Sequence, residues 1–91
     1  MYLVYEKNYL NYGDVDCVEE TDMKLWKHEV NAVIDMYERK EKYISDKDND
    51  FTFMENESDD KCFVFADELC KNNNDRSGEF HICMVELYAN D

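Results

Sequence analysis

Glycine is nearly absent from this chain, and its scarcity excludes a class of chemistry. With only Gly13 and Gly78 in 91 residues, neither a GxxxxGK[ST] nor a GxGxxG cradle for phosphates can be built. Histidine is as scarce. His28 and His81 are the two, and neither has a serine or cysteine at motif spacing to activate, so no catalytic residue and no enzyme are expected. Proline is missing altogether. There is also no internal repeat and no linker long enough to divide the chain, which reads as one domain, 1–91. No apolar run approaches the roughly 18 to 20 residues that cross a bilayer. Met1 leads straight into YLVYEKNY without a basic stretch or a cleavage site, so the expectation is a cytoplasmic protein with no membrane partner.

Positive charge is the next shortage. Ten lysines and arginines face 23 aspartates and glutamates, a formal charge of −13, which makes nucleic acid a poor direct partner and leaves basic protein surfaces and hard cations as candidates. The four cysteines, Cys17, Cys62, Cys70 and Cys83, contain no CxxC pair and are expected to be free buried thiols. A zinc site from His81, Cys83 and two distant cysteines is the alternative, because His81 and Cys83 share a face of any strand they occupy. Structural zinc sites usually show short paired spacings, so no metal and no cofactor are expected.

Apolar residues are present in quantity: 44% of the chain, with one Trp, seven Tyr and five Phe, enough for a core. In Asp22–Ile44 the residues Trp26, Val30, Val33, Tyr37 and Ile44 fall on one stripe of a 3.6-residue period, predicting a helix over 22–44, capped by Thr21 or Asp22, with Trp26 buried on a sheet. His28 falls on its wet side. MYLVYEKNY reads as a strand covered on both faces, Asn11–Asp14 as a turn, and VDCVEE as a short edge strand paired with the first. Residues 51–54 make a brief strand. Cys62, Phe63, Ala66, Leu69 and Cys70 again fit a helical stripe, with Ser58 as N-cap, which favours a helix over about 59–72 against a hairpin of 62–65 with 51–54. EFHICMVELY, apolar on both faces, is the central strand, with His81 a satisfied core residue. The expected fold is α+β: a small, mainly antiparallel sheet in the order β-β-α-β-α-β with two helices packed on one face.

The acids are clustered. Asp14, Asp16, Glu19, Glu20 and Asp22 stand without a base between them, and Asp46, Asp48, Asp50, Glu55, Glu57, Asp59 and Asp60 share their stretch with Lys47 alone. Carboxylates dense on rigid elements imitate rows of phosphates, so these twelve are the candidate partner-binding residues. Asp46, Asp48, Asp50 and Glu57 also take positions 1, 3, 5 and 12 of a loop that resembles the EF-hand calcium site. Phe51 stands where that loop has its turn-making glycine.

In size, charge and composition, carried by DVDCVEETD and DKDNDFTFMENESDD, the chain resembles the small acidic inhibitor proteins of phages and other mobile elements, anti-CRISPR proteins among them. The resemblance implies a protein of a bacterial host's cytoplasm, monomeric or homodimeric. It would bind a basic nucleic-acid-binding protein, such as a defence nuclease complex, and occupy its nucleic-acid surface. A calcium-binding module and a structural or assembly subunit are the alternatives.

Overall fold

Five strands and one helix follow one another among the described residues of the computed structural model. They are β1 (Tyr2–Tyr12), β2 (Val15–Trp26), α1 (Glu29–Ser45), β3 (Thr52–Phe53), β4 (Cys62–Ala66) and β5 (Glu79–Glu86), with a single 3-10 turn at Glu55–Glu57. The structure describes residues 1–12, 15–46, 51–66 and 79–88, without the side chains of 10–12 and 15–17. The strands form one sheet in the order β2-β1-β5-β4-β3, every pair antiparallel. The last strand in sequence is therefore the middle one in space, as its two apolar faces require.

Alternation along the strands divides the sheet into two faces. Val4, Glu6, Phe63, Phe65, Phe80, Ile82 and Met84 meet α1, which contributes Ala32 and Met36 to the same core. Much of that core is aromatic: Phe65 stacks on Phe80 with ring centroids 4.7 Å apart, and Tyr43, Phe51 and Phe53 close around them. A polar chain runs between helix and sheet. Trp26 Nε1 donates to Asp35 (2.8 Å), Arg39 donates twice to Asp35 and once to Glu6 (3.1 Å), and the Tyr43 hydroxyl donates to the other Glu6 oxygen. Glu6 is buried, so its carboxylate needs both partners.

Two elements differ from the sequence expectation. The helix starts at Glu29, not Asp22, because residues 15–26 continue as a strand that pairs along nearly all of β1, with Trp26 opposite Tyr2 and Leu25 opposite Leu3. Period-two alternation of Met23 and Leu25 against Lys24 and Trp26 wins there over the helical stripe. Asp22 does not cap the helix. It sits at φ 52 in a bulge, where Asp22 and Met23 oppose the single residue Tyr5. His28 is the N-cap residue, and Trp26 is half-buried rather than enclosed.

The expected second helix is overturned at Cys62–Ala66, which is strand β4, paired with β3 (Phe53 opposite Phe65) and with β5. Among the described residues the order is β-β-α-β-β-β with one helix. Phe63 and Phe65 face α1 while Val64 and Ala66 are buried on the other side, so the segment needs apolar cover on both faces, which a strand provides and a one-sided helix does not. Ser58 is not a helix cap. Its hydroxyl donates to Met54 O (2.7 Å) and accepts the Val64 N–H (2.9 Å), stapling the turn to β4. Residues 67–72 of the expected helix lie outside the described residues.

Candidate functional site: an acid-rimmed helix face and a thiol–imidazole cluster

The twelve acids of the sequence reading do not form one patch. Glu19, Glu20 and Asp22 are exposed on β2, at one edge of the sheet. Asp46, Glu55, Glu57, Asp59 and Asp60 are exposed around the end of α1, the 3-10 turn and the approach to β4, on the side of the opposite edge strand, β3. Four strand spacings put the two edges about 19 Å apart. Asp59 also has a local task, accepting the Lys61 N–H at 2.8 Å in the turn. Asp14, Asp48 and Asp50 lie outside the described residues, as does the side chain of Asp16. The calcium-loop comparison loses its second helix, since Glu57 leads into β4. Phe51 is held edge-on against Phe80 at 5.0 Å, which explains an aromatic where a calcium loop has glycine.

Between these acids lies a surface that the periodicity argument had assigned to the core. The side of α1 that meets the sheet is Ala32, Met36, Arg39 and Tyr43. At 100° per residue, Val30 and Ile34 lie roughly 160° around the helix from it, while Tyr37, at about 130°, reaches back to pack edge-on against Phe63 with ring centroids 5.4 Å apart. Val30, Ile34 and Tyr37 are 63%, 49% and 51% exposed. Val33, Ile34 and Tyr37, with Glu38 and Glu41, line an open groove of about 400 Å³. A second hollow, lined by Glu29, Val33, Tyr37, Asp60, Lys61 and Met84, continues it to the start of β4. The result is an apolar strip bordered by carboxylates from the helix itself, a juxtaposition that single-sign charge counting missed and that the helical spacing of Val30, Ile34 and Tyr37 already carried.

On the other face of the sheet, Cys62, His81 and Cys83 come together. Cys62 and Cys83 are direct cross-strand partners, and Cys62 Sγ lies 3.7 Å from both Cys83 Sγ and His81 Nδ1. Hydrogen bonding from the Cys62 thiol lowers Cys83 to about 7, against the effect of burial and with help from Lys7 and the Tyr5 hydroxyl. The same bond raises Cys62, with His81 opposing it. His81 is not the satisfied core histidine expected from sequence. It is half-buried, its Nε2 is enclosed without a hydrogen-bond partner among the described residues, and Glu79 Oε1 lies 4.0 Å away. Cys62 and Cys83 are free, Cys83 buried as expected and Cys62 only half-buried, while Cys70 and the side chain of Cys17 lie outside the described residues.

Among the described residues the chain is thus one five-stranded antiparallel sheet with one helix, carrying an acid-bordered apolar strip on the helix and a thiol–imidazole cluster on the opposite face of the sheet. No family model, no curated protein and no solved structure matches it. No helix among the described residues is long and apolar enough to cross a membrane.

Proposed function

We propose that this chain is a non-catalytic binding protein that docks on a basic, nucleic-acid-binding protein and keeps nucleic acid from its surface. The observation that carries the reading is the outer face of α1, where exposed Val30, Ile34 and Tyr37 run beside Glu38 and Glu41. Protein interfaces have apolar centres and polar rims, and a rim of carboxylates selects a basic partner. The acids on β2 and around the 3-10 turn extend the same negative field to either side, and −13 over 91 residues steers such a partner from a distance. A purely electrostatic mimic would have no use for the exposed valine and isoleucine; an inhibitor with a dry centre gains affinity that salt does not remove.

The test is capture of nucleic-acid-binding proteins from a bacterial lysate on the immobilised chain, with free DNA or RNA as competitor. The expected result is a partner displaced by nucleic acid, with affinity falling tenfold or more between about 50 and 200 mM salt. Val30→Ser with Ile34→Ser should abolish binding at every salt concentration. Glu55→Gln, Glu57→Gln, Asp59→Asn and Asp60→Asn together should flatten the salt dependence, since these changes keep volume and hydrogen-bond acceptors. Retention of full, salt-sensitive binding by both variants would refute the reading. A homodimer that buries Tyr37 and persists through the salt step would assign the face to self-assembly.

A further inference from the structure

We propose that Cys62, His81 and Cys83 form a binding site for a zinc-type divalent metal ion on the face of the sheet opposite α1. The strands preset its geometry. Cys62 pairs with Cys83 across β4 and β5, and the adjacent Met84 N–H to Lys61 O bond (2.8 Å) makes theirs the close, non-hydrogen-bonded kind of pair. His81, two residues before Cys83 on β5, projects from the same face. The three ligand atoms lie within 4.8 Å of one another.

Two of the three separations match what a metal needs, and the third, from Cys83 Sγ to the imidazole, lies within 4.8 Å. A tetrahedral ion with bonds of about 2.3 Å to sulfur and 2.0 to 2.1 Å to nitrogen places two sulfurs about 3.8 Å apart, and sulfur and nitrogen about 3.6 Å apart. The protein holds Sγ to Sγ at 3.7 Å and Sγ to Nδ1 at 3.7 Å. Metal-bound imidazoles usually donate their second N–H to a carboxylate or carbonyl. Here the second nitrogen, Nε2, is the one buried side-chain atom without a partner among the described residues, with the Glu79 carboxylate 4.0 Å from it. A shift of about 1 Å on loading would bring that carboxylate within hydrogen-bonding reach and satisfy the nitrogen. Two soft sulfurs and an imidazole select zinc-like ions over calcium or magnesium, which take oxygen. Three protein ligands leave a fourth position for another donor or a bound water. The site is independent of the docking face, since it lies on the opposite side of the sheet.

The experiment is Co²⁺ titration of the reduced, metal-free full chain in the absence of oxygen, followed by Zn²⁺. The expected result is one Co²⁺ per chain, with the strong visible absorption of a tetrahedral ion and a thiolate-to-cobalt charge-transfer band, both removed by one equivalent of Zn²⁺. Cys62→Ser and His81→Ala should each weaken Co²⁺ binding at least tenfold. Serine at buried Cys83 can unfold the chain by itself, so a second readout uses the unaltered protein. Zn²⁺ at a hundredfold excess over its Kd should raise the melting temperature by about 10 °C, and Cys62→Ser should remove most of that rise. The proposal is overturned by the absence of a charge-transfer band, by a band unchanged in Cys62→Ser, or by the weak absorption of a six-coordinate ion, which would place the metal on carboxylates. It is also overturned if a Cys62–Cys83 disulfide forms in air as fast with Zn²⁺ as without it.

Discussion

Replacing Arg39 by methionine isolates the polar chain between helix and sheet. Methionine retains much of the apolar stem and removes the guanidinium, which holds Glu6 at 3.1 Å and Asp35 at 3.0 and 3.3 Å. The buried Glu6 is then left with Tyr43 alone, and Asp35 with Trp26 alone. Breaking a buried pair by removing one partner costs about 3 to 5 kcal/mol. The side chains involved are 9% to 14% exposed, so some water reaches them, and the lower figure, about 3 kcal/mol, applies. At roughly 0.05 to 0.15 kcal/mol per residue the whole domain has about 5 to 14 kcal/mol, so this one change removes a large fraction. In urea, with a slope near 2 kcal/mol/M, the midpoint should fall by about 1.5 M at unchanged slope. Adding Glu6→Gln to Arg39→Met should recover at least about 1 kcal/mol, because a neutral amide still accepts from Tyr43 without an unpaired charge. A loss below about 1 kcal/mol for Arg39→Met, or no recovery in the double variant, would refute the argument that Glu6 depends on Arg39.

Three further outcomes are expected. Trp26→Phe keeps an aromatic ring but loses the bond to Asp35 and part of the half-buried indole surface, so it should cost about 1 to 2 kcal/mol in urea unfolding; a cost above about 3 kcal/mol would show the indole to be a core residue after all. Calcium at 1 mM should leave the melting temperature unchanged, because Phe51 is committed to Phe80; a rise of several degrees that Glu57→Gln abolishes would make 46–57 a calcium site. Burial and the Glu6 carboxylate raise Tyr43 well above its ordinary value of 10.0. Its contribution to stability is therefore complete below pH 10 and is lost as pH rises through its folded value, so Tyr43→Phe should flatten the decline of stability above about pH 10 measured by urea midpoints.

Much of the sheet was legible, and the reason lies in its strands. Met1–Tyr9 and Glu79–Tyr88 carry apolar residues on both faces, a pattern interior strands need, and they fall in β1 and β5, which pair with each other inside the sheet. The hairpin of β1 with β2 is expected from the sequence, although Asn11 and Tyr12, which read as turn residues, end β1. The helix is legible from the stripe of Val30, Val33, Tyr37 and Ile44, whereas Ala32 and Met36 are the residues it buries. Trp26 belongs to both a period of 3.6 and a period of two, and only pairing with Tyr2 decides between them. At Cys62–Ala66 a five-residue apolar run fits either period, and burial from both sides, a tertiary fact, selects the strand. The acids were legible as charge but not as a surface, because strand order sends the two runs toward opposite edges. For the thiol cluster the sequence placed His81 and Cys83 on one face. The third member, Cys62, became visible only once β4 was a strand with Cys62 opposite Cys83.

The position of β5 dictates when this sheet can close during synthesis. β1 and β2 can pair as soon as both have emerged, and so can β3 with β4, but the two halves touch within the sheet only through β5. Residues 67–78 must be made first, and at about 5 to 20 residues per second that stretch and β5 itself occupy roughly one to four seconds. Throughout that interval the inner edges of β1 and β4 are unpaired, with Val4, Phe63 and Phe65 lacking the neighbours that cover them in the finished molecule. The 17 acids against 8 bases already present in residues 1–66 oppose association of nascent chains until the last strand slots between the halves.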